Sequence, residues 1–145
     1  MTENTNWTID TLQKALAGIE GVVNGDIELA LTPGAQPSIR LTLKAFGDLP
    51  IYIAVAGDQI LADTTLIEVS RVKDPVAFND VVLRSRDLFP LSSVGIERLA
   101  DGHEVYCLFG ALSAKSTLTV IIQEILTLAD NVIRAAEAFD DHFIH

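Results

Sequence analysis

The sequence predicts an α+β fold in which an antiparallel meander sheet carries helices on one face, in the order α-β-β-β(β)-α-β-β-α. Three observations lead there. Apolar residues fall at helical spacing before Asp26, alternate with polar ones through the middle of the chain, and return to helical spacing in the last third. The connections between the alternating runs are short, which favours antiparallel neighbours over crossover helices. Leu118, Ile122, Ile125, Ala129, Val132, Ala136, Phe139 and Phe143 step by four and three alternately, which marks a long C-terminal helix of roughly 40 Å.

The first helix starts at Thr8, a capping side chain, with Trp7 placed to staple onto Leu12. Ile9, Leu12, Leu16 and Ile19 form its inner face, and Gly21 is its stop. Residues 1–6 are expected to fray. Ile27, Leu29 and Leu31 then alternate with polar or small residues until the turn at Thr32-Pro33-Gly34. Ile39, Leu41, Leu43 and Ala45 repeat the pattern, with Arg40, Thr42 and Lys44 facing water. A turn at Gly47-Asp48 leads to the run Ile51–Ala56, and Gly57-Asp58 turns again. Ile60–Val69 is one bent strand or two shorter ones.

Asp74-Pro75 opens the second helix, with the aspartate as cap and the proline in the first helical position. Phe78, Val81, Val82 and Leu88 point inward from it, and it ends before Pro90. Val94–Leu99 and Glu104–Leu112 are strands joined by a hairpin turn at Asp101-Gly102. Ser113 or Ser116 caps the terminal helix. With no internal repeat and no dividing linker, residues 1–145 read as a single domain.

Composition narrows the function. A hydrophobic content of 49% favours a filled core. No apolar run approaches the roughly 18–20 residues of a membrane span, so direct membrane insertion is not expected. The first six residues lack the basic and greasy segments of a secretory signal. One cysteine cannot form an internal disulfide, which suits a reducing cytoplasm. A formal charge of −10, with the ten Lys and Arg scattered singly, repels phosphate backbones, so no nucleic acid partner is expected.

No catalytic signature emerges. Cys107 alternates with Val105 and Phe109 as a small core residue, and His103 lies about 13 Å from it along an extended strand. Glu137 and Asp141 stand one helical turn apart near His142 and His145, but a fraying end suits a metal poorly, so neither metal nor cofactor is expected. Arg84 and Arg86 do not share a helical face, and Asp63 and Glu68 are too scattered for acid and base roles. The small residues Gly110 and Ala111 ahead of the last helix lack a phosphate-loop framework.

Two resemblances extend this reading. The order of elements is similar to the type III secretion chaperone-like fold, which includes YbjN-like bacterial proteins; that likeness implies helices on one side of a curved sheet, and a homodimer. The segments Phe109–Ala114, Glu124–Asn131 and Ala135–Glu137 resemble the C-terminal part of the YjfI family of small acidic bacterial proteins. The second resemblance implies a cytoplasmic protein with a membrane-associated or stress-related context, and carries no catalytic residue.

The expected function is that of a non-enzymatic, cytoplasmic protein-binding module, adaptor or chaperone-like, acting as a homodimer. Ile121, Leu128 and Ala135 flank the main stripe of the terminal helix and are expected to remain accessible for self-association. Trp7, Leu128, Ile133 and Phe139 are the candidate contact residues. The alternative is a small-ligand-binding protein or enzyme with a pocket between sheet and helices.

Overall fold

Thr8 opens the first helix, α1 (Ile9–Ala17), as expected: its hydroxyl accepts from Thr11 N while Thr11 Oγ1 accepts from Thr8 N. The structure, a computed structural model, describes residues 5–145. Gly18, not Gly21, caps α1, and a one-turn helix α2 (Glu20–Val23) follows. Gly21 lies inside α2, where a Cβ would come within 2.9 Å of Ile27 Cδ1. It permits close approach instead of terminating a helix.

Strands β1 (Ile27–Thr32), β2 (Ser38–Leu43), β3 (Leu49–Ala56) and β4 (Gln59–Glu68) come next. Helix α3 (Pro75–Leu83), strands β5 (Ser93–Arg98) and β6 (Glu104–Ser113), and the long helix α4 (Leu118–Ala138) complete the order. The strands form one six-stranded antiparallel sheet in the order β1-β2-β3-β4-β6-β5. The run from Ile60 is therefore one strand. Ile39 sits opposite both Leu31 and Ile53, and Leu41 opposite both Leu29 and Ile51. This register keeps the apolar side chains of three strands on one side.

Two compact units divide the chain. The described residues up to Ala62, with Ala111–Ile125, make the first. Its core holds Leu12 and Leu16 of α1, Ile39, Leu41 and Leu43 of β2, Ile51 and Ile53 of β3, and Ile121 of α4. Trp7 has a long-range anchor: its backbone N–H donates to Ala114 O at 2.8 Å and its indole Nε1–H to Ser116 O at 2.7 Å. Ala114 N donates to Asp58 O at 2.8 Å, and Asn6 Nδ2 to Asp58 Oδ1 at 3.0 Å. Asn6 is thus tied down, against the expected fraying; residues 1–4 lie outside the described residues. Thr117 caps α4 in place of either expected serine, accepting from Val120 N at 3.3 Å.

Asp63–Gly110 with Leu126–His145 form the second unit, whose centre is aromatic. Phe78 meets Tyr106, Phe139 and Phe143 edge-on, with centroids at 4.8, 5.3 and 5.7 Å. Tyr106 also donates its hydroxyl to Asn79 Oδ1. After α4 a short 3-10 turn (Asp140–His142) brings Phe143 back into the core beside Val72, so the helix stops short of the expected Phe143. Lys73 N to His142 O at 2.9 Å and Ile144 N to Arg71 O at 2.8 Å hold that segment in place.

Helix α4 is rotated from the expected orientation. Ile121, Leu128 and Ala135 are fully buried, with Ile125, Ala129, Val132 and Phe139 beside them, whereas Ala136 is exposed and Leu118 and Ile122 are half-buried. Leu128 is therefore a core residue, not an accessible flank. The apolar arc is wider than one stripe, so periodicity alone leaves the rotation open. Two polar side chains, Glu124 and Asn131, share the buried side. Glu124 Oε1 has no hydrogen-bond partner among the described residues, and burial pushes its carboxyl above the usual range, favouring the neutral acid.

This packing predicts that Leu128→Ala lowers unfolding free energy by about 3 kcal/mol in urea titrations. Leu128→Asp should abolish the cooperative transition; a native circular dichroism spectrum for that variant would contradict the assignment.

A candidate protein-docking surface

Asp74 caps α3 by accepting from Ala77 N at 3.2 Å, and Pro75 occupies the first turn, as the sequence implies. The helix ends early, at Leu83. Ser85 leaves helical geometry at φ −107 and ψ 24, its hydroxyl donating to Val81 O at 2.7 Å. A short 3-10 turn (Arg86–Leu88) follows. This break changes which side chain points inward: Phe89 is buried against Phe139 at 5.9 Å, whereas Leu88, expected in the core, is 41% exposed.

Side chains of helix α4 hold the next residues. The buried Asn131 donates through Nδ2 to Pro90 O at 2.8 Å and to Ser92 Oγ at 2.9 Å. Arg134 Nη1 donates to Leu88 O at 3.2 Å. Between the two Asn131 contacts, Leu91 adopts φ 68 and is 62% exposed. A leucine in the left-handed region costs about 1–2 kcal/mol, and here no burial of its own side chain offsets that cost. Leu83 is 81% exposed at the end of α3, and Ile133 is 40% exposed on α4 between Asn131 and Arg134 in sequence. The second unit thus exposes Leu88 and Leu91 on a loop fixed at three points, and also exposes Leu83 on α3 and Ile133 on α4.

Of the four candidate contact residues, Ile133 alone is exposed. Leu128 and Phe139 are core, and Trp7 is half-buried in the first unit. Sequence reasoning missed Leu83, Leu88 and Leu91. The first two sat within a reasonable helical pattern; the only local hint for the third is an apolar residue directly after Pro90 in a loop.

The chemically reactive side chains are arranged differently. Cys107 is buried in β6, and burial, reinforced by the charges of Asp63 and Glu97, pushes its thiol up to about 11. His103 is exposed in the β5–β6 turn, where Asp101 Oδ2 lies 2.9 Å from Nδ1 and raises its pKa. Arg84 Nε contacts both carboxylate oxygens of Asp80 at 3.1 and 3.2 Å, an exposed pair along α3. His145 Nε2 meets Asp140 Oδ1 at 2.9 Å, also exposed. These are exposed side-chain pairs and one buried thiol.

Asp63 on β4 is the exception. Burial, and then the like charge of Glu97, raise its pKa to about 6. The folded state therefore holds the Asp63 proton more tightly than the unfolded chain, and stability falls as pH rises from about 4 to about 6. Asp63→Asn should remove that fall and gain about 1 kcal/mol at pH 8, the full linkage value being reduced by partial exposure. Urea midpoints at pH 4 and pH 8 test this; a variant no more stable at pH 8 than wild type would refute it.

Comparison with known proteins places these features in a family. Residues 6–143 match the family described as "Uncharacterized protein conserved in bacteria (DUF2170)". The chain is 36% identical over 108 residues to the uncharacterized protein YjfI of Escherichia coli strain K12, covering 74% of this chain and 80% of the relative. The YjfI protein of Escherichia coli O157:H7 matches to the same extent. The crystal structure of YbjN from E. coli is similar in fold, with a TM-score of 0.59 at 13% identity over 92% of this chain and 94% of that one. The YjfI resemblance seen in the C-terminal segments and the YbjN-like fold seen in the element order both hold. The chain belongs to the bacterial DUF2170 family.

Proposed function

We propose that this chain is a non-enzymatic protein-binding module that docks an apolar partner surface on Leu83, Leu88, Leu91 and Ile133. The observation carrying this reading is Leu91, held outward in a strained backbone while the buried Asn131 fixes both of its neighbours. A strained, exposed apolar residue held in place by buried hydrogen bonds is a candidate for contacts outside the fold's own packing. The partner is a protein, with a second copy of this chain as the first candidate, giving a homodimeric adaptor. The formal charge of −10 disfavours nucleic acid as the partner. A single buried cysteine is consistent with work in a reducing cytoplasm. Among the described residues no helix is long and apolar enough to cross a membrane.

Leu91→Gly separates docking from folding. Glycine accepts φ 68 without a steric penalty, so the variant should be as stable as wild type or up to about 1 kcal/mol more stable. It should nonetheless lose the stoichiometric partner, or the dimer, recovered by mild crosslinking of the wild-type protein. Undiminished crosslinking in both Leu91→Gly and Leu91→Asp would overturn the reading.

A further inference from the structure

The first unit carries a recess. Its volume is about 550 Å³, within the range of small-molecule sites. The walls are Trp7, Ile9, Pro37, Val55 and Leu61, and small residues of β3, Ala54 and Ala56, leave room between them. None of the twelve lining residues is charged, in a chain where 21% of residues are. The indole N–H of Trp7 is already committed to Ser116 O, so the ring offers only its apolar surface. The Thr8 hydroxyl is likewise engaged in the capping box of α1. Asn6 Nδ2 is held by Asp58. Gln36, an exposed residue of the lining, supplies a neutral amide.

We propose that this recess binds an uncharged, apolar small molecule bearing one neutral hydrogen-bonding group, such as a hydroxyl or carbonyl, received by Gln36. A charged ligand would lose hydration on entering and meet no opposite charge among the lining residues; the nearby carboxylate of Asp58 is exposed and already accepts from Asn6 Nδ2. The recess is rigidly framed on the Trp7 side, because the Trp7 backbone and indole both bond to the Ala114–Ser116 segment, which bonds in turn to Asp58. It belongs to the first unit, whereas Leu91 belongs to the second.

Trp7, which lines the recess, is the only tryptophan in the chain, so saturable quenching of its fluorescence that is lost when the recess is narrowed reports binding there. The full-length protein is titrated with N-phenyl-1-naphthylamine and with two analogues of the same ring system, one bearing a sulfonate and one a quaternary ammonium. The uncharged probe should quench Trp7 saturably, with a dissociation constant on the order of 10 µM. Both charged analogues should bind at least about tenfold more weakly. The cationic analogue controls for the protein's negative charge, which would favour it nonspecifically. Ala56→Phe, or Ala54→Leu if that variant fails to fold, narrows the recess and should weaken the uncharged probe at least about tenfold. Absence of saturable quenching, equal binding of either charged analogue, or undiminished binding in a folded filled variant would each overturn the proposal.

Discussion

The side chain of Asn131 is the constraint on which the second unit depends. It lies on the buried side of a helix with more apolar surface than one face requires, and an amide there must find partners or cost about 1–3 kcal/mol. Its partners, Pro90 O and Ser92 Oγ, exist only when the loop after α3 lies across α4. The bond therefore selects the rotation of the helix and the path of the loop together. Leu128 and Ala135 go inward with Asn131, and Phe89 packs against Phe139 from the loop side. Leu91, flanked by the two bonded residues, has no route into the core and is left facing solvent in a left-handed conformation.

The two recognition features differ in the physics they use. Around Leu91 the protein displays exposed apolar side chains on a pinned loop, which suits a complementary protein surface. Around Trp7 it surrounds an uncharged recess with side chains whose polar atoms are mostly satisfied internally. In the first case the hydrogen bonds of Asn131 and Arg134 hold up the presenting backbone. In the second, the bonds of Trp7 and Asn6 remove polar atoms from the wall. Neither arrangement brings a nucleophile and a base together: Cys107 is buried with a raised pKa, and His103 is occupied by Asp101 at the surface.

Local signals in the sequence were read well because their physics is local. Thr8 and Asp74 cap helices through side chains that reach only three residues along, and Asp101-Gly102 turns a hairpin with Gly102 at φ 90. The alternation of Ile39, Leu41 and Leu43 survives because β2 lies between two strands and has one buried side. The misplaced features all depended on distant partners. Gly21 looked like a helix stop until Ile27 was known to approach it. Leu88 fitted the helical period of α3 until Ser85 broke it. Leu128 appeared to flank the buried stripe, but it is buried with Asn131, whose partners lie about forty positions away. The candidate surface was legible only at Ile133, since a strained, exposed leucine carries no periodic signature. Trp7 was recognised as important, but its bond to Ser116 spans 109 residues.

The most direct test of this account is the backbone order of Leu88–Ser92 measured by ¹⁵N relaxation in the wild-type protein and in Asn131→Leu, which keeps the apolar volume but removes both hydrogen bonds. If Asn131 pins the presenting loop, wild-type order parameters there should match the rigid core at about 0.85 and fall below about 0.6 in the variant, while α4 stays ordered. A loop equally rigid in both proteins, or equally mobile in both, would contradict the central role given to Asn131.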